Sequence, residues 1–356
     1  MLAQGLARRL AAAGHDVTFF SARVAGRADE EAVEGLKHVR RGGRYSVYRE
    51  AYRWLRRTRP EYDLLIDHIN TIPFFTPLYE RERVVALVPQ LARDVWWYEA
   101  PKLLAPLGIA AERLYHALYR LTPAITISRS SERDLRDFGW RAPIRTIAMP
   151  ISQSTHANGR TPPPEQTVPT GDRPAPTVLF VGRLTPSKRV EDAIAAFAVV
   201  RSRFSTARFW IVGGADDLGY EQRLKSRALH IGGIEFAGRV SEAERQRRMM
   251  AADVIAVTSV REGWGLVVTE ANAAGTPAAG YDVPGLRDSI KPGQGVLVPS
   301  GDARALGAAI AELLANPVGL KEMSDRARAD ARNHSWERTY AEFVQALRDL
   351  RPGLRL

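Results

Sequence analysis

Short apolar segments alternate with helix-patterned ones along this chain in two series, and a stretch with neither period divides them near the middle. In the first series "DVTFFS", "YDLLIDHI", "RVVALV" and "PAITIS" read as buried strands, while "AERLYHALYRL" and "SSERDLRDFG" read as helices, and "IRTIAMP" closes the half. In the second, strands "TVLFVG", "ARFWIVG", "IEFAG" and "VIAVTS" interleave with helices "VEDAIAAFAVV", "YEQRLKSRAL" and "SEAERQRRMMAA". Strands that alternate with helices lie parallel in a sheet covered on both faces. The pattern therefore predicts an α/β protein with two doubly wound domains. The first spans 1–151, a Pro, Thr and Gly-rich linker spans 152–176, the second spans 177–335, and a last helix occupies 336–356 with Tyr340, Phe343, Val344 and Leu347 at helical spacing.

The 356 residues suit two domains, and 45% hydrophobic against 26% charged residues is the balance of a globular chain. A formal charge of +11 favours phosphates, acidic lipids or nucleic acid as partners. Nucleic acid ranks low, because the cations are not clustered with stacking aromatics. With no cysteine and seven scattered histidines, neither a thiolate nucleophile nor a metal-ligand spacing is present, and no metal or cofactor is expected. No apolar run approaches the ~18 residues of a membrane span, and Arg8 and Arg9 interrupt the start, unlike a signal peptide. The chain reads as cytoplasmic, with peripheral contact to an anionic membrane left open. Its candidate for such contact is "RYSVYREAYRWLRRTRPEYD", which sets Val47, Ala51, Trp54 and Leu55 on one helical face and arginines elsewhere; the commoner role of such a helix is to face the core.

Chemistry concentrates in the second series. "VLFVGRLTPSKR" ends a strand at Gly182 and then presents Arg183 and Lys188, where parallel sheets bind ligands. Arg offers a planar fork to phosphate oxygens and Lys a point charge, though two solvated cations would look the same. In "REGWGLVVTEANAAGTPAAG" a turn holding Gly263 and Gly265 joins a strand to a helix whose first amides favour an anion. Glu262 precedes that helix and Glu270 lies in its second turn, so the two do not share a proton and have separate roles. Carboxylates suit hydroxyl pairs and not phosphate. A ligand with phosphates in the middle and hydroxyls at both ends, as in a nucleotide sugar, fits this order; a plain turn with two surface glutamates is the competing reading. Gly213 and Gly214 in "WIVGGADDLGY" mark another strand end, as a ligand-facing turn or a simple break. "LARDVWWYEAP" offers either an acceptor surface or aromatic packing. There is no Asp-x-Asp, GxxxxGK[ST] or GxGxxG, which disfavours metal-dependent sugar transferases of the other fold, P-loop enzymes and simple dinucleotide enzymes.

"VGRL" with a lysine five residues after its arginine, "EGWGLVVTEANAAGTP" and "VPGLRDS" resemble the second domain of the retaining glycosyltransferases of family 4, from about Thr177 to Trp336. "LARRLAAAGHDVTFFS" is similar to that family's opening helix and second strand. The resemblance implies the GT-B fold, two Rossmann-like domains facing a central cleft, with the last helix crossing back onto an acceptor-binding first domain. It implies that Arg183 and Lys188 stabilise the diphosphate, Glu262 holds the transferred sugar, the amides of Gly263, Trp264, Gly265 and Leu266 line sugar and phosphates, and Glu270 holds the ribose. It also implies transfer to a carbohydrate, lipid or small-molecule acceptor with retention and without a metal. Two departures stand out. The family's first strand and glycine-rich loop are missing, so the protein is expected to extend upstream of Met1. A first-domain histidine of many members aligns with Pro89, with His68 as a substitute. The alternatives are a GT-B phosphorylase or epimerase, and a non-catalytic nucleotide-sugar-binding homologue.

Overall fold

The computed structural model describes residues 2–151 and 175–354, so the linker at 152–176 lies almost wholly outside the described residues. The chain forms two compact units, one of residues 1–93, 107–150 and 337–356 and one of residues 94–106 and 151–336.

The first unit opens on α1 (Leu2–Ala12), which buries Leu2, Leu6 and Leu10 on one face. β1 (Val17–Ser21), β2 (Glu30–Val33) and β3 (Leu36–Arg40) then form a three-stranded sheet in the order β1-β3-β2, with β2 antiparallel to β3. The sequence pattern missed this hairpin, because its turn is Glu34–Gly35, both with left-handed φ, and β2 is mostly exposed. α2 (Val47–Thr58) buries Val47 and Ala51, sets Trp54 against Phe20 at 5.6 Å, and leaves its arginines in solvent, which is the core-facing arrangement of a basic amphipathic helix.

A second, all-parallel sheet follows, formed by β4 (Leu65–His68), β5 (Val84–Leu87), β6 (Ala124–Thr126) and β7 (Ile144–Thr146) in the order β4-β5-β6-β7. Between β5 and β6 the chain makes the short α3 (Trp96–Glu99), which belongs to the second unit, and α4 (Ala105–Leu118). α4 begins earlier than the apolar period suggested, since Pro106 is compatible with a first helical turn. α5 (Arg129–Asp137) is capped by the Ser128 hydroxyl, which accepts from the Ser131 N–H at 3.0 Å. Asp67 on β4 is buried and accepts from the Thr76 hydroxyl and from that of Tyr119, the residue after α4, tying the end of that helix to the sheet. Burial raises the Asp67 pKa against the pull of those hydrogen bonds.

The second unit is built on one six-stranded parallel sheet. Its elements are β8 (Thr177–Val181), α6 (Val190–Arg203), β9 (Arg208–Val212), α7 (Leu218–Ala228), β10 (Ile234–Gly238), α8 (Glu242–Ala251), β11 (Val254–Val257), α9 (Leu266–Ala274), β12 (Ala278–Tyr281), α10 (Leu286–Ser289), β13 (Gly295–Val298), α11 (Ala303–Ala315) and α12 (Pro317–Ala331). The strand order β10-β9-β8-β11-β12-β13 is that of a doubly wound sheet, and it reverses direction between β8 and β11. β11 and β12 are buried along their whole length, as strands covered on both faces must be, and Phe197 of α6 stacks on Phe209 of β9 at 5.2 Å. The period of two is absent from the Ala and Gly-rich β12, which is why the sequence pattern stopped short of it.

α13 (Trp336–Leu350) packs in the first unit, where Glu342 accepts from the Ala148 N–H at 2.6 Å and Arg145 pairs with Asp349 at 3.0 Å. Its buried face is Thr339, Phe343, Ala346, Leu347 and Leu350; Tyr340 and Val344, expected on that face, are only half-buried because they sit at its edges. No helix among the described residues is long and apolar enough to cross a membrane.

Two histidines of the first unit make a pH test of this packing. Burial pushes both His68 and His116 down to about 4, from about 6.5 in an unfolded chain. The unfolded state therefore takes up protons that the native state refuses, so stability held above about pH 6.5 is lost as pH falls toward about 4, by roughly 3 kcal/mol per histidine. His116 lies among the rings of Tyr115, Phe138 and Trp140, so His116→Phe should flatten the acid slope of the melting temperature while leaving neutral-pH stability intact. An unchanged slope would contradict the assignment.

Candidate functional site

In a doubly wound sheet the crevice for a ligand opens where the strand order reverses, at the carboxyl ends of the two strands flanking that point. Here those ends are the segment after β8, carrying Gly182, Arg183 and Lys188, and the segment after β11, running from Thr258 to Gly265. The two segments are stitched together. The Val260 N–H donates to the Ser187 carbonyl at 2.9 Å, and the Thr258 hydroxyl donates to the Lys188 carbonyl at 2.7 Å.

Their side chains meet as well. Lys188 Nζ donates to Glu262 Oε1, and the Ser259 hydroxyl donates to the same oxygen at 2.6 Å. The Lys188 and Glu262 side chains keep 25% and 16% of their exposure, so each charge is compensated mainly by the other. The resemblance to family 4 assigned Lys188 to the diphosphate and Glu262 to the transferred sugar; the fold places the two side chains in direct contact. Arg183, by contrast, is exposed at the end of β8 and has no carboxylate partner among the described residues.

The turn between β11 and α9 carries the other nominated residues. Gly265 caps α9 with a left-handed φ of 86°, and the N–H groups of Gly263, Trp264, Gly265 and Leu266 have no acceptor among the described residues. The Trp264 ring is held away from this set by its Nε1–H, which donates to the Thr269 hydroxyl at 2.8 Å, and by contact with His334 at 5.2 Å. Such a cluster of orphan N–H groups at a helix start is suited to an anion.

Glu270 sits in the second turn of α9 and pairs with Arg245 of α8, which also binds Glu242. Burial disfavours the Arg245 charge, but its hydrogen bonds to Glu242 and Glu270 outweigh that and raise its pKa. The two glutamates thus have separate cations. Arg245 was missed because it lies 25 residues from Glu270, a separation no local motif reveals. Ser259, between the strand and Glu262, was legible only as a strand-end residue.

Gly182 and Gly213 come together for a backbone reason. Gly182 N–H donates to the Val212 carbonyl at 3.0 Å, and a Cβ on Gly213 would lie 1.8 Å from the Gly182 oxygen. Glycine at 213 is therefore required by the close approach of two strand ends. A similar constraint holds Glu262 in place. Its N–H donates to the Pro284 carbonyl at 3.1 Å, and a Cβ on Gly285, whose φ is 82°, would lie 2.2 Å from its carbonyl oxygen.

The aromatic segment "LARDVWWYEAP" adds two contacts beside this site. The Ser187 hydroxyl donates to Glu99, and Arg261 pairs with Asp94 at 3.0 Å. In the first unit, His68 is half-buried on β4, and the Pro89 carbonyl accepts from the Ser131 hydroxyl at 2.8 Å. A depression of about 650 Å³ there is lined by Tyr48, Arg49, Tyr52, Phe74, Phe75 and Tyr79 among others, and by none of the nominated residues.

Two family models match the chain. The one described as "Glycosyl transferases group 1" matches residues 168–334, and "Glycosyltransferase Family 4" matches residues 2–154. Phosphatidyl-myo-inositol mannosyltransferase of Mycobacterium leprae is 37% identical over 177 residues, 48% of this chain and 45% of that protein. The chain spans under half the length of the curated relatives it matches. Among solved structures, sucrose-phosphate synthase from Thermosynechococcus elongatus superposes with a TM-score of 0.75 at 22% identity, covering 98% of this chain and 92% of that one. The Anabaena protein HepE in complex with UDP gives 0.62 at 18% identity, covering 85% and 82%.

The packing around Glu262 is directly testable. Gly285→Ala should lower stability by roughly 2–4 kcal/mol, because the new methyl meets a backbone carbonyl that cannot yield cheaply. Gly232→Ala, also at positive φ but with nothing within 4 Å, should cost only about 1 kcal/mol. Equal losses in urea unfolding would show that the Gly285 contact is not what fixes Glu262.

Proposed function

The chain belongs to the GT-B glycosyltransferase family that these two models describe, glycosyl transferases group 1 of family 4, and we propose that it transfers a sugar from a nucleoside diphosphate sugar to an acceptor held by its first unit. The observation that carries the reading is the Lys188–Glu262 contact at the sheet's reversal point, beside four orphan amides and the exposed Arg183. Relatives named as mannosyl- and inositol phosphate glycosyltransferases, and a neighbour solved with UDP, support the same substrate class.

On this reading the diphosphate lies against the amides of Gly263 to Leu266, with Arg183 and Lys188 on its oxygens. Each charge-assisted hydrogen bond there contributes about 1.5–3 kcal/mol. Glu262 turns from Lys188 to the hydroxyls of the transferred sugar, and Glu270, held by Arg245, accepts from the ribose hydroxyls. The bond between the anomeric carbon and the phosphate oxygen breaks. The acceptor oxygen bonds to that carbon on the same face, and its proton passes to the departing phosphate. The protein's contribution is fixed positive charge where negative charge develops, which needs no metal.

A thermal-shift panel of UDP, GDP, ADP and dTDP sugars identifies the donor. With that donor, Glu262→Ala should reduce turnover about 100-fold or more, and Arg183→Ala should raise the donor KM about tenfold or more. Wild-type rates in both variants would refute the assignment. Donor binding with no product from a broad acceptor panel would instead identify a binding protein, and donor cleavage without acceptor product would identify a phosphorylase or epimerase.

A further inference from the structure

Among the described residues of the second unit, Arg189 is the only one other than glycine whose backbone is left-handed, at φ 47° and ψ 51°, and it directly follows Lys188. An L side chain in that region crowds its own neighbouring carbonyl, so the conformation persists only where the surroundings enforce it. The main chain needs it here. Arg189 ends the single-turn 3-10 helix Pro186–Lys188 and opens α6, its N–H donating to the Pro186 carbonyl at 3.1 Å and its carbonyl accepting from the Asp192 N–H at 2.9 Å. The same turn fixes Lys188, whose carbonyl accepts from Thr258 at 2.7 Å while its ammonium meets Glu262.

The Arg189 side chain supplies the enforcement. Its guanidinium pairs with Asp192 at 2.8 Å and lies 5.9 Å from the centre of the Tyr281 ring, and the Tyr281 hydroxyl donates to the same Asp192 oxygen at 2.6 Å. Tyr281 is buried at the end of β12, and Asp192 is in the first turn of α6, so this clip ties the turn to two core elements. A Cβ on Gly301 would lie 3.2 Å from the guanidinium, which is thus closed in on that side as well. A guanidinium committed in this way differs from that of the exposed Arg183.

We infer that Arg189 is a positioning residue for Lys188: its clip to Asp192 and Tyr281 holds a left-handed turn that aims the Lys188 ammonium into the crevice. It touches no ligand. Its effect on nucleotide binding rests on the proposed transfer reaction, whereas its effect on the Lys188–Glu262 contact stands without that reading.

Substitutions separate the backbone from the charge. Glycine adopts this φ freely, asparagine with little penalty, alanine with more and the β-branched valine with most, yet all four remove the cation. Two readouts on the full chain then test the inference. The first needs no ligand: the coupling between Lys188 and Glu262, from double-mutant cycles in urea unfolding, should survive Arg189→Gly, shrink in Arg189→Ala and vanish in Arg189→Val. The second is calorimetric titration with UDP, GDP, ADP and dTDP, in which Arg189→Gly should lose no more than about twofold in affinity and Arg189→Val about tenfold or more, with Arg189→Asn and Arg189→Ala between them. Asp192→Asn should weaken binding in the wild type but not on top of Arg189→Gly, because a glycine turn needs no clip. Circular dichroism checks each fold, and alanine against glycine decides if the valine variant unfolds. Equal losses in all four variants would overturn the inference and make Arg189 a direct phosphate ligand, and no loss in any would overturn it too. If the wild type binds none of the four nucleotides, the transfer reading fails and the coupling alone decides the role of Arg189.

Discussion

The ion pair between Lys188 and Glu262 is the contact around which the second unit's functional end is arranged. It joins the segments that follow β8 and β11, the two strands between which the sheet reverses order. Two backbone-directed hydrogen bonds run parallel to it, from Thr258 and Val260, so the crevice mouth is held by both side chain and main chain. A largely buried pair of this kind adds little net stability by itself, but removing one partner leaves the other uncompensated at a cost of about 3–5 kcal/mol. That asymmetry is compatible with the proposed binding of a charged, hydroxylated ligand. Each member already sits in the protein with its position constrained, and on the proposed reading a phosphate for the lysine with hydroxyls for the glutamate would replace one compensated arrangement by another.

Glu270 follows the same logic at the other end of the turn. Its carboxylate is kept oriented by Arg245, which is in turn shared with Glu242. In sequence the orphan amides at the start of α9 lie between the two carboxylates, and Arg183, exposed at the end of β8, has no carboxylate partner among the described residues.

Much of this was legible in the sequence because it is local. The alternation of strand and helix periods gave the second unit's first four strands and three helices, and glycines at strand ends marked where the backbone turns. Glu262 and Glu270 could be assigned different roles from helix geometry alone. What stayed hidden was tertiary. Arg245 reaches Glu270 from another helix, Lys188 meets Glu262 across a strand crossover, and Gly213 answers to the carbonyl of Gly182. The hairpin of β2 and β3 and the alanine-rich β12 lack the apolar period that would announce them. The outward face of α4 was also illegible, because its leucine spacing is that of a buried helix and only the hydrogen bonds of Tyr115, Tyr119 and Glu112 show which side faces in.

Calorimetric titration of a nucleoside diphosphate into a Lys188/Glu262 double-mutant cycle tests the central claim most directly, because it separates the pair's mutual contact from each member's contact with ligand. If Lys188 trades Glu262 for phosphate, Lys188→Ala weakens binding about tenfold or more. Glu262→Gln, which releases the lysine, leaves affinity equal or improved. Unchanged affinity in the Lys188 variant, or a loss of the same size in the Glu262 variant, would contradict the account.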